Sequence, residues 1–353
     1  MTTTCGPDAE AVARDLGFDC HDVSPVVSVR APWDLAHPTM PLLELLVVGG
    51  AVFALVHAVR RHRAGDPVNL ALWWASLVYL LVIEPPLYFP EWFGLDEIYG
   101  FIFAHNRFTV QFMWDRLPLY IVAFYPMISQ LAYEVVRCLG IFRRRGALAG
   151  SVAVAFVLQV FYEVFDHVGP QLRWWAWNPA NQVVNQPAMA SVPLQSALLF
   201  ASVSLGAMTY LVVRLARRGW LARTVLAGVL TPLAMVVAGI PSSIFRGNPT
   251  AQAWVLGVEL ALVWLAGAWI IVTSRQPLDE PLPAFTRIYP AAYLVVMAGF
   301  WISALPSYLG AENGVTADGT PIGSGLYVLA CFAGAGLVLA ALHRVRRAAP
   351  ASV

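Results

Sequence analysis

Residues 147–168 read ALAGSVAVAFVLQVFYEVFDHV, and this stretch decides the fold class. It is 22 residues long, the length that an α-helix needs to cross the hydrocarbon core of a bilayer. Its first sixteen residues are uncharged and mostly apolar, and its end brings in Glu163, Asp166 and His167. The pattern therefore predicts a transmembrane helix with ionisable side chains near one end.

Apolar stretches of this kind recur along the whole chain. Of its 353 residues, 59% are hydrophobic and 12% are charged, about half the charged fraction of an ordinary soluble protein. This composition argues against a soluble enzyme, a disordered protein and a nucleic-acid-binding protein. We predict an all-α, polytopic helical membrane protein with about nine transmembrane helices, at residues 40–59, 69–89, 117–136, 147–168, 191–213, 224–240, 251–273, 288–307 and 323–342.

The arginines predict the orientation of these helices, since all 22 basic residues are Arg. The predicted loops alternate between two sides, and 16 arginines fall on one side. The positive-inside rule assigns that side to the cytoplasm. The N-terminus is then outside and the C-terminus inside, as an odd number of helices requires, and we expect a multi-pass protein of the cell (inner) membrane. The other side holds Arg14, Arg30, Arg107, Arg116, Arg173 and Arg246.

The predicted domain organisation is simple. Residues 1–39 form an extracytoplasmic segment without a recognisable signal peptide, residues 40–343 a single transmembrane domain, and residues 344–353 a cytoplasmic tail. Cys5 and Cys20 both lie in the outer segment, where a disulfide can persist. A disulfide and two unrelated thiols are both open at this point.

Two predicted outer connections differ from ordinary loops. Residues 98–116, IYGFIFAHNRFTVQFMWDR, are aromatic but too polar to face lipid. We expect a helix that lies in the outer interface or re-enters between spans, with His105, Asp115 and Arg116 closing over a pocket. Residues 169–190 are either an interfacial aromatic belt or the lining of a site for a lipophilic substrate. They carry Trp174, Trp175, Trp177 and Asn178.

Ionisable side chains at membrane depth are costly, so each is a functional hypothesis. Helical spacing places Glu163, Asp166 and His167 on one face, together with Gln159 and Tyr162. Two neighbouring carboxyl groups in a low-dielectric setting cannot both ionise easily, which favours one protonated acid. We therefore predict Glu163 or Asp166 as a general acid, with Tyr162 and His167 contacting substrate. The alternative is a helix end where Asp166 and His167 are solvated.

Glu84 is the second candidate, in the stretch LLVIEPPLYF at residues 80–89. Proline cannot donate a backbone hydrogen bond, so Pro85 and Pro86 predict a broken helix that faces a cavity. Glu84 would then act as a base or stabilise a cation; the alternative is an acid paired with Arg116. We expect the pocket between the second, third, fourth and seventh spans, where Glu259 could contribute.

No cofactor is predicted, because the sequence contains no phosphate-binding loop, dinucleotide-binding fingerprint or C-x-x-C pair. A nucleotide-driven pump and a redox metalloenzyme are therefore disfavoured. Glu163, Asp166 and His167 are residue types that could also ligate a divalent metal. The expected partner is a membrane lipid or isoprenoid, not a nucleic acid, and the oligomeric state is left open.

Two stretches resemble integral-membrane enzymes of carotenoid and terpenoid metabolism. They are IEPPLYF, which contains Glu84, and YEVFDHVGPQLRWWAW at residues 162–177. The similar families are carotenoid hydratases, heterodimeric-type lycopene cyclases and small membrane terpene cyclases. The resemblance implies an all-helical enzyme that uses intramembrane acids to protonate a polyene or epoxide. Lycopene cyclases carry adjacent acids before a Leu-Phe-Phe-like run, whereas here a single Glu84 precedes two prolines.

Three functions are therefore compared. The first is a membrane enzyme that performs non-redox acid–base chemistry (cyclisation, hydration or isomerisation) on a lipophilic, isoprenoid-type substrate near the outer leaflet. The second is a proton-coupled transporter or lipid flippase, which predicts a path alternating between the two faces. The third is a non-catalytic cell-envelope assembly protein, which predicts that the acids pair internally with Arg and enclose no cavity.

Overall fold

Long apolar helices make up most of the computed structural model, which describes residues 5–31, 33, 37–216, 220–276 and 281–347. Within these residues, nine helices are long and apolar enough to cross a membrane. The chain is thus a multi-pass helical membrane protein, as predicted. Numbered in chain order, spans 1 to 9 are Met40–Arg63, Val68–Tyr88, Leu119–Cys138, Ile141–Asp166, Ser196–Leu215, Trp220–Ser243, Pro249–Ser274, Ala284–Leu309 and Gly325–Arg347.

Some parts of the sequence predictions lie outside the described residues. They are residues 1–4, 32 and 34–36 of the outer segment, Arg217 and Arg218 of the arginine count, and residues 348–353 of the tail. The helix of span 9 continues to Arg347, so the first residues assigned to the tail are helical.

The predicted break in span 2 at Pro85 and Pro86 is wrong. The α-helix continues through both prolines and ends at Tyr88. Both prolines lie in the last turn, where they remove only the donors to the carbonyls of Leu81 and Val82. A true interruption occurs at the start of span 4, where Gly146 has a φ of 78° and separates a short first segment from the rest of the helix.

Spans 3 and 4 form the centre of the bundle. Their apolar segments are 89% and 72% buried, against 56% or less for every other span. Span 4 packs on spans 3, 5, 7 and 9, and span 3 packs on spans 1, 2 and 4. Polar side chains on these two helices therefore point into protein, whereas spans 6 to 9 present large apolar side chains such as Trp254 and Leu265 to the lipid.

The loops at one end of the bundle fold into a layer that we call the cap, comprising residues 5–31, 89–118, 167–195 and 310–324. Its strands pair antiparallel as β1–β3–β4, β2–β5 and β6–β7. The strands are β1 Val27–Val29, β2 Phe103–His105, β3 Val110–Phe112, β4 Leu117–Pro118, β5 Trp175–Trp177, β6 Ala188–Met189 and β7 Val192–Pro193. Short helices lie at Pro7–Leu16, Pro90–Phe93, Asp96–Tyr99 and Gln182–Asn185.

These strands correct the prediction for residues 98–116, which are not a helix. Apart from the end of the Asp96–Tyr99 helix, the segment contains strands β2 and β3. β2 pairs with the remote strand β5, with His105 opposite Trp175, and β3 pairs with the remote strand β1 and with the neighbouring strand β4. Pairing with distant partners overrides the local preference that favoured a helix.

A disulfide between Cys5 and Cys20, with 6.0 Å between their Cα atoms, ties the two ends of the Pro7–Leu16 helix together. Asn106 joins this helix to the rest of the cap. The Asn106 amide donates to the carbonyl of Leu16 (3.2 Å) and to that of Arg173 (2.8 Å). Residues 5–31 of the outer segment are thus part of the cap.

Glu134, toward the opposite end of span 3, is fully buried and fully paired. Its carboxylate accepts hydrogen bonds from Arg137 (2.7 and 2.9 Å), Asn69 (2.8 Å) and Thr286 (3.2 Å). His57 Nε2 lies 3.1 Å from the same carboxylate. These contacts join spans 1, 2, 3 and 8, so Glu134 has a structural role.

We expect Glu134→Ala to lower the free energy of unfolding by about 3–5 kcal/mol, because Arg137 would be left buried without its carboxylate. The double variant Glu134→Leu/Arg137→Leu should recover much of this loss. Denaturant unfolding in detergent micelles measures both, with the exposed Glu97→Ala as the control. A single variant as stable as that control would contradict the structural role.

Candidate functional site

A cavity of about 260 Å³ lies where the cap meets spans 2, 3, 4 and 5. Its size is close to that of small-molecule pockets in proteins. Spans 2, 3 and 4 were predicted as walls, but the fourth wall is span 5 rather than span 7. Its lining comprises Glu84, Leu87, Tyr99, Ile102, Phe103, His105, Ile121, Phe124, Tyr125, Tyr162, Phe165, Asp166, Trp175, Trp177, Val184, Pro193, Gln195, Ser196, Leu199 and Phe200.

The walls of the cavity are mainly aromatic. Phe124 and Phe165 stack with 4.5 Å between their ring centroids, and Trp175 lies 5.0 Å from Phe165. Strand pairing with β2 aligns β5 so that Trp175 and Trp177 both line the cavity. The predicted aromatic lining is therefore present at two of the three tryptophans.

Asp166 lies at the last residue of span 4 and lines the cavity. It is only 5% exposed, and its Oδ2 accepts no hydrogen bond. Tyr162, one turn earlier on the same helix, lines the cavity beside it. A buried carboxyl oxygen without a partner is costly in an apolar interior, and among the carboxyl groups that line the cavity only Asp166 has one in the described residues.

Glu84 enters the same cavity from span 2. It is 6% exposed, and the Tyr125 hydroxyl of span 3 donates a hydrogen bond to its Oε1. No arginine lies within ion-pair distance of Glu84 in the described part of the chain. The carboxyl group of Glu84 is thus fixed by a hydrogen bond, whereas Oδ2 of Asp166 accepts none.

Glu163 is fully buried but does not line this cavity. His167 Nε2 lies 3.2 Å from its carboxylate, while neither carboxyl oxygen accepts a hydrogen bond of good geometry. The backbone N–H of Ser324 donates to His167 Nδ1 (3.1 Å), so the proton of the neutral ring is on Nε2, toward Glu163. Gln159, one turn before Glu163, donates to the Tyr327 hydroxyl of span 9 (2.9 Å).

The single cluster predicted at the end of span 4 is therefore divided between two adjacent helix faces. Tyr162 and Asp166 lie on the cavity face, and Gln159, Glu163 and His167 lie on the face toward span 9. The division follows from the 3.6-residue period, which rotates Asp166 away from Glu163 by about 60°.

His105 forms part of the cavity wall on the cap side. The Tyr120 hydroxyl donates to the Trp174 carbonyl (3.2 Å) and lies 2.9 Å from His105 Nδ1. Assigning the hydroxyl proton to the Trp174 carbonyl places the ring proton on Nδ1 and leaves the lone pair on Nε2. Burial lowers the pKa of His105 to about 3, so the ring is a neutral acceptor on the cavity wall.

Two residues predicted to contact substrate instead hold the cap together. Trp174 is fully buried, and its indole N–H donates to the Thr39 hydroxyl (2.9 Å). Asn178 donates to the Phe101 carbonyl (3.0 Å) and to Asp8 (3.1 Å). Neither side chain lines the cavity.

Asp115 and Arg116 do not close over the cavity as predicted. Asp115 accepts a hydrogen bond from the Ser28 hydroxyl (2.6 Å). Arg116 donates to the Tyr88 carbonyl and lies 4.5 Å above the Phe89 ring; burial lowers the pKa of its guanidinium. Both side chains line a smaller pocket on the other side of His105, within the cap.

Glu259 is half-buried on span 7 and lies outside the cavity lining. This contradicts its predicted place in the pocket, because span 7 packs on spans 4 and 6 and not closely on spans 2 and 3. The wall that sequence reasoning missed is the start of span 5, where residues Ser196–Ser204 form a π-helix. Sequence reasoning also missed Tyr125, although a tyrosine within an apolar span indicates a buried polar contact.

Glu163, Asp166 and His167 are not among the described side chains whose metal-ligand atoms converge within 4.8 Å. In the described part of the chain, the group of metal-ligand side chains whose ligand atoms converge within 4.8 Å is Cys5, Cys20 and His21. Its two cysteines are joined in a disulfide, which removes the thiolates that a metal would bind.

No family model matches this chain, and neither a curated protein nor a solved structure is found to be similar to it. An unbonded carboxyl oxygen among aromatic faces can transfer a proton to an apolar molecule and stabilise the cation that results.

We expect stability to fall as the pH drops from about 6.5 toward 3, because the His105 ring stays neutral in the folded protein but is protonated when unfolded. His105 contributes a slope of at most about 1.4 kcal/mol per pH unit. The His105→Asn variant should show a flatter profile in denaturant unfolding, and His343→Asn, at an exposed position on span 9, should not. Equal slopes for wild type and His105→Asn would contradict the burial argument.

Proposed function

We propose that this protein is a membrane enzyme that protonates a carbon–carbon double bond of a lipophilic, isoprenoid-type molecule. One observation carries the proposal: Asp166, with an unbonded carboxyl oxygen, and Glu84 line the same buried aromatic cavity. The apolar walls suit a hydrocarbon chain, and the two acids suit chemistry in which one group donates a proton and another accepts it.

In the first step, Asp166 acts as the general acid. The π electrons of the double bond form a new C–H bond with the Asp166 proton, which leaves a carboxylate on Asp166 and a carbocation on the neighbouring carbon. The faces of Phe124, Phe165 and Trp175 stabilise such a cation through their π electrons. No electron is gained or lost overall, so the reaction needs no oxidant or reductant.

In the second step, the cation is quenched. Loss of a proton to Glu84 or to His105 Nε2 gives a shifted double bond or, after attack by a second double bond, a ring. Addition of water with loss of one proton gives an alcohol. The Tyr125 hydroxyl orients Glu84 for this role, and the neutral His105 offers its Nε2 lone pair. Return of a proton to Asp166 completes the cycle.

Two observations favour an enzyme over the two other functions. The cavity lies at the cap end of the bundle rather than at its middle, where transporters commonly bind their substrates. An assembly protein would pair its buried acids as Glu134 is paired with Arg137, whereas Glu84 and Asp166 line a cavity instead.

We expect Asp166→Asn to lower the amount of a lipid product that wild type makes by about 100-fold or more, because the general acid is removed. The measurement is comparative lipid profiling of membranes from an isoprenoid-producing bacterial host at matched protein levels. Glu163→Gln is the matched control, because it removes an acid from the same helix outside the cavity lining. Wild-type profiles from Asp166→Asn membranes would overturn the proposal.

We also propose that the cap faces the outside of the inner membrane and that the C-terminus is cytoplasmic. The arginine distribution supports this orientation. A C-terminal fluorescent-protein fusion should be fluorescent, and a C-terminal alkaline phosphatase fusion should be inactive. The reverse pair of results would contradict it.

A further inference from the structure

An apolar groove of about 460 Å³ lies on the outside of the bundle, between spans 7 and 9. Its floor is Phe156 of span 4, which is only 5% exposed. At its rim, Val272 and Leu337 are 64% and 71% exposed, so the groove is open to the surroundings of the bundle. The two walls comprise Ala268, Ile271, Val272 and Arg275 of span 7, and Gly334, Leu337, Val338, Ala340 and Ala341 of span 9.

The groove exists because spans 7 and 9 both pack on span 4 but hardly pack on each other. They meet near the cap end of span 9, where the Trp264 indole N–H donates to the Tyr327 hydroxyl (3.2 Å). Beyond this contact, toward the end of the bundle opposite the cap, the groove separates them. Among the described residues, its lining comes from spans 4, 7 and 9 only, so its mouth faces the lipid.

The shape of the groove suits a hydrocarbon chain. It follows about 10 Å of helix on each wall, from Ala268 to Arg275 and from Gly334 to Ala341. One leaflet of a bilayer provides about 15 Å of hydrocarbon, half of the apolar core. The groove can therefore hold most of one acyl chain of a lipid in the leaflet opposite the cap.

Arginine marks the end of this groove that is remote from the cap. Arg275 lines the groove, is exposed, and forms no ion pair with a described acid. On the opposite wall, position 344 follows Ala340 by four residues, so the helical period places Arg344 on the same face of span 9. Basic pockets between transmembrane helices are typical sites for anionic lipid headgroups.

We propose that the groove binds one anionic phospholipid, with an acyl chain against Phe156 and its phosphate on Arg275. A guanidinium group offers paired N–H donors that match the oxygens of a phosphate. The described lining contains no acid, so it offers no partner to the cationic amine of a zwitterionic headgroup. The bound lipid fills the space between spans 7 and 9. This site does not depend on the proposed function, because none of its residues lines the cavity that contains Asp166.

The headgroup contact is tested by native mass spectrometry of the full chain in detergent micelles, with phosphatidylglycerol and phosphatidylcholine of the same acyl chains. We expect wild type to retain one phosphatidylglycerol molecule in preference to phosphatidylcholine. Arg275→Gln should weaken phosphatidylglycerol binding about tenfold, because a hydrogen bond to a charged group is lost. Arg287→Gln is the matched control, since Arg287 is exposed at the same end of the bundle, on span 8, outside the groove lining.

The acyl-chain contact is tested by filling the groove with a tryptophan side chain. Ala268→Trp and Ala340→Trp do so from opposite walls, and both should remove the bound lipid. Ala266→Trp is the control, because Ala266 is exposed and lies on the other side of span 7, two residues from Ala268. Should a tryptophan variant fail to fold, Arg275→Gln at its exposed position still tests the site.

Two results would overturn the proposal. The first is that Arg275→Gln retains phosphatidylglycerol as well as Arg287→Gln does, or that folded Ala268→Trp retains it as well as Ala266→Trp does. The second is that wild type retains phosphatidylglycerol and phosphatidylcholine equally, which would reject an anionic phospholipid as the occupant of the groove.

Discussion

The cost of burying an unpaired polar group governs this structure. Water is absent from the hydrocarbon core, so a buried acid that accepts no hydrogen bond from the protein costs folding free energy. Glu134 accepts hydrogen bonds from spans 2, 3 and 8, lies beside His57 of span 1, and holds the bundle together. Asp166 is also buried, yet its Oδ2 accepts no hydrogen bond and its side chain lines a cavity. The contrast separates an acid that stabilises the fold from one that is available for chemistry.

The position of spans 3 and 4 explains why the acids meet at one place. Both helices are largely enclosed by their neighbours, so most of their side chains point into protein. The carboxyl group of Glu84 reaches this interior from span 2 and accepts from Tyr125 of span 3, while Asp166 comes from the end of span 4. The cap then covers the site through the pairing of β2 with β5, which brings His105 and Trp175 to its wall. A membrane bundle alone would leave this end open.

Helical periodicity was a partial guide at the site. It brought Tyr162 and Asp166 together, because residues four apart share a face. Periodicity could not place Glu163 on a different face from Tyr162 and Asp166. A helix that is buried on most of its surface has no clear polar and apolar sides that would predict its rotation. Periodicity also assigned residues 98–116 to a helix, although β2 within them pairs with β5, about 70 residues away in the sequence.

The sequence by itself determined the number and approximate position of the nine spans found in the described residues, because the length and hydrophobicity that a bilayer demands are local properties. It also singled out Glu84, Asp166 and Trp175, since acids in apolar spans and clustered tryptophans are visible without any contact. Only the tertiary structure decided that Glu163 and Glu259 lie outside the cavity, that Trp174 and Arg116 support the cap, and that span 5 supplies the fourth wall. These outcomes depend on how helices rotate and pack against one another, and that rotation is set by contacts between residues far apart in the chain.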